Sequence, residues 1–106
     1  VKDGYILINT SRSFEELGLG EFAEGFRPER LCTVPATEIA LKHVGRPLPN
    51  AALLGGFAAL TGRISLDSVK AAIGDKFKGR IAEANAAAAT AAFEFVARET
   101  KEPADA

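Results

Sequence analysis

The chain has 106 residues, with 47% hydrophobic and 25% charged, the composition of one small globular domain and too apolar for a disordered chain. Its 13 Lys+Arg and 14 Asp+Glu give a formal net charge of -1, which argues against a nucleic-acid surface with its usual basic excess. One cysteine, Cys32, and one histidine, His43, exclude a disulfide framework or a Cys/His metal site built within this chain.

The chain opens Val1-Lys2-Asp3-Gly4 and contains no Met, so a processed or truncated piece of a longer polypeptide is expected. No basic segment followed by an apolar core opens it, as a secretory leader would. Tyr5-Ile6-Leu7-Ile8-Asn9 is a continuous apolar run, the pattern of a strand covered on both faces in a parallel sheet. The polar turn Thr10-Ser11-Arg12-Ser13 follows. Between residues 14 and 30 the glycines Gly18, Gly20 and Gly25 interrupt any long helix, leaving a short helical turn and loop. Leu31-Cys32-Thr33-Val34 reads as a second strand, stopped by Pro35. Pro35 also suits the first turn of a helix, here Thr37 to Val44, with Gly45 as its stop.

Arg46-Pro47-Leu48-Pro49 is a stiff linker. Asn50 then reads as the N-cap of a helix over 51–60, with Leu53, Leu54, Phe57 and Leu60 as its apolar stripe. Ser65 caps a helix over 66–77, in which Leu66, Val69, Ile73 and Phe77 are spaced 3, 4 and 4. The last helix runs from about Arg80 to Arg98, with Ile81, Ala84, Ala88, Ala92 and Phe95 along one face. Eight of the eleven residues from Ala82 to Ala92 are alanine, a slim surface that lets another backbone approach. The uncharged run from Ala84 to Phe93 is shorter than the ~20 apolar residues a membrane span takes, and a cytoplasmic protein is expected. Residues 1–98 form the domain and 99–106 a polar tail.

Chemistry-bearing residues are sparse. A nucleophilic Cys32 needs a His partner and a lowered pKa, and His43 lies at the far end of a helix. Glu15, Glu16 and Glu38 have no partner at a spacing that implies a shared acid/base site. The run Gly18 to Gly25 lacks the strand–turn–helix order of a dinucleotide loop. Two anion sites are candidates: the turn Thr10–Ser13, beyond the carboxyl end of a strand, and Arg46 leading to the helix start at Asn50. Gly55-Gly56 inside an apolar helix calls for a backbone-close neighbour, within the domain or across a subunit boundary.

The segments Gly4-Tyr5-Ile6-Leu7-Ile8-Asn9, Val34-Pro35-Ala36-Thr37-Glu38-Ile39-Ala40, Pro49 to Gly62 (with Asn50-Ala51-Ala52-Leu53-Leu54-Gly55-Gly56 inside it) and Ser65-Leu66 occur in an order that resembles the gamma subunit, or gamma domain, of the 2-oxoacid:ferredoxin oxidoreductases, in its C-terminal half. The likeness spans roughly residues 4 to 96. It implies an α/β, three-layer domain with a mostly parallel sheet, to which this chain supplies about two strands and four helices. It also implies membership of an enzyme that oxidatively decarboxylates a 2-oxoacid such as pyruvate, usually to an acyl-CoA. Thiamine diphosphate, Mg²⁺, iron–sulfur clusters and CoA are implied for the whole enzyme, with electrons passing to ferredoxin or a similar acceptor. One Cys cannot ligate a cluster, so no cofactor is expected in this chain and no catalytic residue. Its role is assembly and a subunit interface in an oligomer. The partners expected are the alpha and beta catalytic subunits or domains and the missing N-terminal half of the gamma domain. If any residue touches substrate or CoA, the candidates are Thr37, Arg46 and Asn50, taken as lying at helix starts. The alternatives are a stand-alone anion- or nucleotide-binding α/β module and a structural partner with no enzyme attached.

Overall fold

The computed structural model describes residues 4–101, and the remainder of the polar tail, 102–106, lies outside the described residues. Ile6–Asn9 (β1) and Leu31–Val34 (β2) pair in parallel, with Ile6 opposite Leu31 and Asn9 opposite Val34. Paired residues share a face of the sheet, and the faces alternate along each strand. Cys32 and Val34 are buried, and Leu7, opposite Cys32, packs against the same core. Ile6, Ile8, Leu31 and Thr33, on the other face, are only half-buried. The sheet is therefore finished on one face, whereas parallel sheets are ordinarily covered on both.

The connection between the strands holds a one-turn helix, Gly20–Ala23 (α1), and a 3₁₀ turn, Pro28–Arg30. Four longer helices follow: Ala36–His43 (α2), Asn50–Thr61 (α3), Leu66–Lys76 (α4) and Gly79–Lys101 (α5). The architecture is α/β with a parallel sheet. Among the described residues it has the two strands and four longer helices expected, and the short helical turn expected between 14 and 30 closes into α1. Ser65 caps α4, its hydroxyl accepting from the Ser68 amide at 3.0 Å. Gly62, at φ 67°, ends α3 in the left-handed region that glycine enters without strain. The helix α5 continues to Lys101, so residues 99–101 are helical.

The centre of the fold is the seam between α3 and α5. A Cβ built on Gly55 would overlap the Ala89 carbonyl oxygen and lie 2.7 Å from its carbonyl carbon and 2.8 Å from its Cα. Backbone thus meets backbone. That proximity corrects two expected faces. On α3 the buried residues are Ala52, Gly55, Gly56, Ala58 and Leu60, while Leu54 and Phe57 are 38% and 42% exposed. Of the expected stripe only Leu60 is buried, because bulky side chains cannot enter a seam this narrow. On α5 the buried set is Asn85, Ala88, Ala89, Ala92 and Val96, and Ile81 is exposed. The burial centre is rotated from the expected face because α5 meets α3 and α4 on adjacent sides.

Tyr5 lies under two guanidinium groups, Arg30 at 4.8 Å and Arg63 at 5.8 Å from its ring centroid. The two contacts tie the residue before β1 to the 3₁₀ turn and to the α3–α4 turn through cation–π attraction.

Candidate functional site

The linker from Arg46 to Pro49 and the helices α3, α4 and α5 enclose an open cavity of about 660 Å³. Leu48, Leu54, Ile73, Phe77 and Ile81 give it an apolar wall. Arg46, Asn50, Lys76 and Asn85 add polar groups to the lining, and no Asp or Glu is among its lining residues. The structure therefore brings two of the three candidate residues, Arg46 and Asn50, to one place.

Their local settings differ from expectation. Asn50 is the first residue of α3 and does not cap it. Pro49 occupies the cap position, where its carbonyl accepts from the Leu53 amide at 2.8 Å, and no side chain caps the helix. Proline's ring has set the entry of the chain into the helix, so the amides of the first turn have no side-chain partner. Arg46 follows the end of α2 and does not lie at a helix start.

Thr37, the third candidate, lies elsewhere. Its hydroxyl accepts from Asn9 Nδ2 at 2.8 Å, and its amide donates to Asn9 Oδ1 at 3.2 Å. The last residue of β1 thus caps α2, meeting one of the orphan amides of a helix start. This is a structural lock and leaves Thr37 outside the cavity.

The turn Thr10–Ser13 also turns inward on itself. The Thr10 hydroxyl accepts from the Arg12 amide at 3.1 Å. Ser13 and Glu16 form a reciprocal capping box, with bonds of 2.8 and 3.1 Å. Two of the hydroxyls read as an anion site, those of Thr10 and Ser13, are engaged in local turn geometry.

Cys32 is buried, and burial, reinforced by the negative charge of Glu99, pushes its thiol up to about 11 from an ordinary 9.0. A reactive thiol needs the opposite shift. Among the described residues no group of three or more His, Cys, Asp or Glu side chains is placed to hold a metal ion.

Sequence reasoning missed Lys76 and Asn85. Asn85 is the one buried polar side chain among the described residues, 7% exposed. The signal was present: a lone Asn inside a run of alanines, where it lowers helix propensity. Its Nδ2 donates to the Ile81 carbonyl at 2.8 Å, one turn back.

Comparison with known proteins places this geometry in context. Residues 1–95 match the family model described as pyruvate ferredoxin/flavodoxin oxidoreductase. The chain is 43% identical over 93 residues to the pyruvate/ketoisovalerate oxidoreductases common subunit gamma of Pyrococcus abyssi, covering 88% of this chain and 49% of that protein. It is 42% identical over 92 residues to the pyruvate synthase subunit PorC of Methanocaldococcus jannaschii, covering 87% and 46%. The crystal structure of the pyruvate oxidoreductase subunit PORC from Thermotoga maritima superposes with a TM-score of 0.73 at 30% identity, over 89% of this chain and 51% of that one. The chain spans about half the length of the curated relatives it matches.

Proposed function

The chain belongs to the pyruvate ferredoxin/flavodoxin oxidoreductase family, and from that premise we propose that it acts as the C-terminal half of a gamma subunit or domain in a 2-oxoacid:acceptor oxidoreductase. Its role there is assembly. The bonds of the substrate are made and broken between the alpha and beta subunits or domains, where thiamine diphosphate and Mg²⁺ lie, with CoA as acyl acceptor and the iron–sulfur clusters on cysteine-rich segments outside this chain. Electrons leave to a ferredoxin-like protein. The residues of this chain do not suit an iron–sulfur cluster. A single buried thiol, held neutral, is not the thiolate set that a cluster takes.

The observation that carries the reading is the match along residues 1–95 to gamma subunits of twice this length, together with a parallel sheet of two strands. Parallel strands join through crossovers inside larger, doubly covered sheets. Here β1 and β2 are alone among the described residues, and one face of the pair is half-open. A complementary set of strands and helices, supplied by the other half of the gamma fold, completes that sheet. Leu7, Leu53, Leu54 and Phe57 border a shallow apolar recess beside β1 that this second half covers.

No described helix is long and apolar enough to cross a membrane, and we place the assembly in the cytoplasm. The test is purification of the native assembly through a tag on this chain, followed by mass and cofactor analysis. Larger chains carrying thiamine diphosphate and iron, at fixed stoichiometry, are expected. Recovery of the chain alone, or with partners that hold neither group, overturns the reading.

A further inference from the structure

We propose that the cavity between α3, α4 and α5 is a binding site for a small amphipathic anion whose apolar body carries a hydrogen-bond donor. Its volume of about 660 Å³ is that of a site for a drug-sized molecule. The charge of its lining is one-sided: Arg46 and Lys76 border it and no carboxylate does. Both side chains belong to exposed residues, so they stand where the anionic end of a ligand remains close to water. The start of α3, at Asn50, borders the same space and adds the positive end of a helix. A cation is disfavoured by that set. An inorganic anion leaves the apolar wall of Leu48, Leu54, Ile73 and Phe77 uncovered.

Asn85 specifies the third feature. Its Nδ2 is committed to the Ile81 carbonyl, and no described residue donates to its Oδ1. Yet no buried side-chain polar atom among the described residues is left without a partner. Oδ1 is therefore not sealed from solvent, and Asn85 is among the residues that line this cavity. A carboxamide oxygen on a residue 93% removed from solvent, as its 7% exposure means, offers an acceptor deep in an apolar wall. A ligand that buries this oxygen without donating to it incurs the desolvation cost of an unpaired acceptor, so the ligand must donate there.

Three naphthalenes separate the terms. The probe 6-hydroxy-2-naphthoate has the apolar body, the anion and the donor; 2-naphthoate lacks the donor; 2-naphthol lacks the anion. Titration of the 106-residue chain is followed by amide NMR shifts and by probe fluorescence, which the protein does not obscure because it contains no Trp. Saturable binding of the hydroxynaphthoate is expected, with shifts at Ala51, Ala72 and Asn85. Each control binds about threefold to tenfold more weakly, the range for one lost hydrogen bond or exposed charge contact. Asn85→Ala, which keeps the alanine run helical, erases the preference for hydroxynaphthoate over naphthoate. Arg46→Gln with Lys76→Gln erases the preference for the carboxylates over naphthol. Absence of saturable shifts at the cavity up to the solubility limit overturns the proposal. So does binding whose preferences survive both sets of substitutions. Failure of this proposal and failure of the assembly reading are distinguishable, because the first is read from shifts at the cavity and the second from the chains and cofactors that co-purify.

Discussion

The two flanks of α3 are built on opposite principles. Toward α5 its backbone lies against Ala89 with room for nothing larger than a hydrogen on Gly55. Toward β1 it presents Leu53, Leu54 and Phe57 beside Leu7, with Leu54 and Phe57 substantially exposed. The first flank is a completed contact whose tolerance is near zero. The second has the composition of a core and the accessibility of a surface. Exposed apolar area of that kind marks a contact still to be made. A helix can thus hold a domain together on one side while offering the other to a neighbour.

The comparison breaks most readily at Gly55. Gly55→Leu is expected to cost ~3–5 kcal/mol, because the seam must open along its length. A melting midpoint within a few degrees of the parent chain would show that the seam is softer than its geometry. One residue on, the effect is smaller. A Cβ on Gly56 would meet side-chain methyls and not backbone, Val96 Cγ2 at 3.3 Å and Leu7 Cδ2 at 3.4 Å, and Gly56→Leu is expected to cost ~1–3 kcal/mol in the same assay. The side chain from such a substitution also weakens assembly, since it displaces Leu7 at the open flank.

On the open flank itself, Phe57→Ser is expected to cost the isolated chain only ~1–2 kcal/mol, since the residue is 42% exposed already. Its effect should appear in pull-downs as reduced recovery of partner chains. Equal loss of stability and of partners would erase the distinction between the flanks. Cys32 gives a pH test of the closed core. The thiol's raised folded pKa means that the unfolded chain releases its proton first. Stability supplied by the neutral thiol is present below about 9.0 and is lost as pH rises through about 11. Denaturant titrations across that interval should show the decline, and Cys32→Ala should flatten it. The smallest effect is expected at Tyr5. Arg63→Gln removes one of its two cation–π contacts and should cost ~0.5 kcal/mol.

Much of the fold was legible because its signals are local. Ser65 before an apolar 3–4 pattern defined α4, and Leu31-Cys32-Thr33-Val34 before Pro35 defined β2 within a residue. The Gly55-Gly56 pair correctly announced a close backbone. What sequence spacing could not supply was direction. Periodicity places Leu53, Leu54, Phe57 and Leu60 on one side of a helix, but a helix that is apolar all round has no preferred side. The partner backbone at Ala89 chose the small residues. The site divided in the same way. Arg46 and Asn50 stood out because a cation and a helix start are visible in sequence. Thr37 does lie at a helix start, but its engagement with Asn9, 28 residues away, is invisible to spacing. Lys76 and Asn85 join them only through the packing of α4 and α5 against α3.

The pairing of Asn9 with Thr37 also bears on the order in which the chain organises itself. A helix that caps itself can begin alone, but the first turn of α2 borrows its cap from the end of β1. The eight residues of α2 are too few to persist in isolation. Their nucleation must await closure of the intervening loop and registration of the two strands, so this helix is a late event. Asn9→Ala should therefore accelerate unfolding and leave the folding rate nearly unchanged, through an element that Asn9 does not belong to.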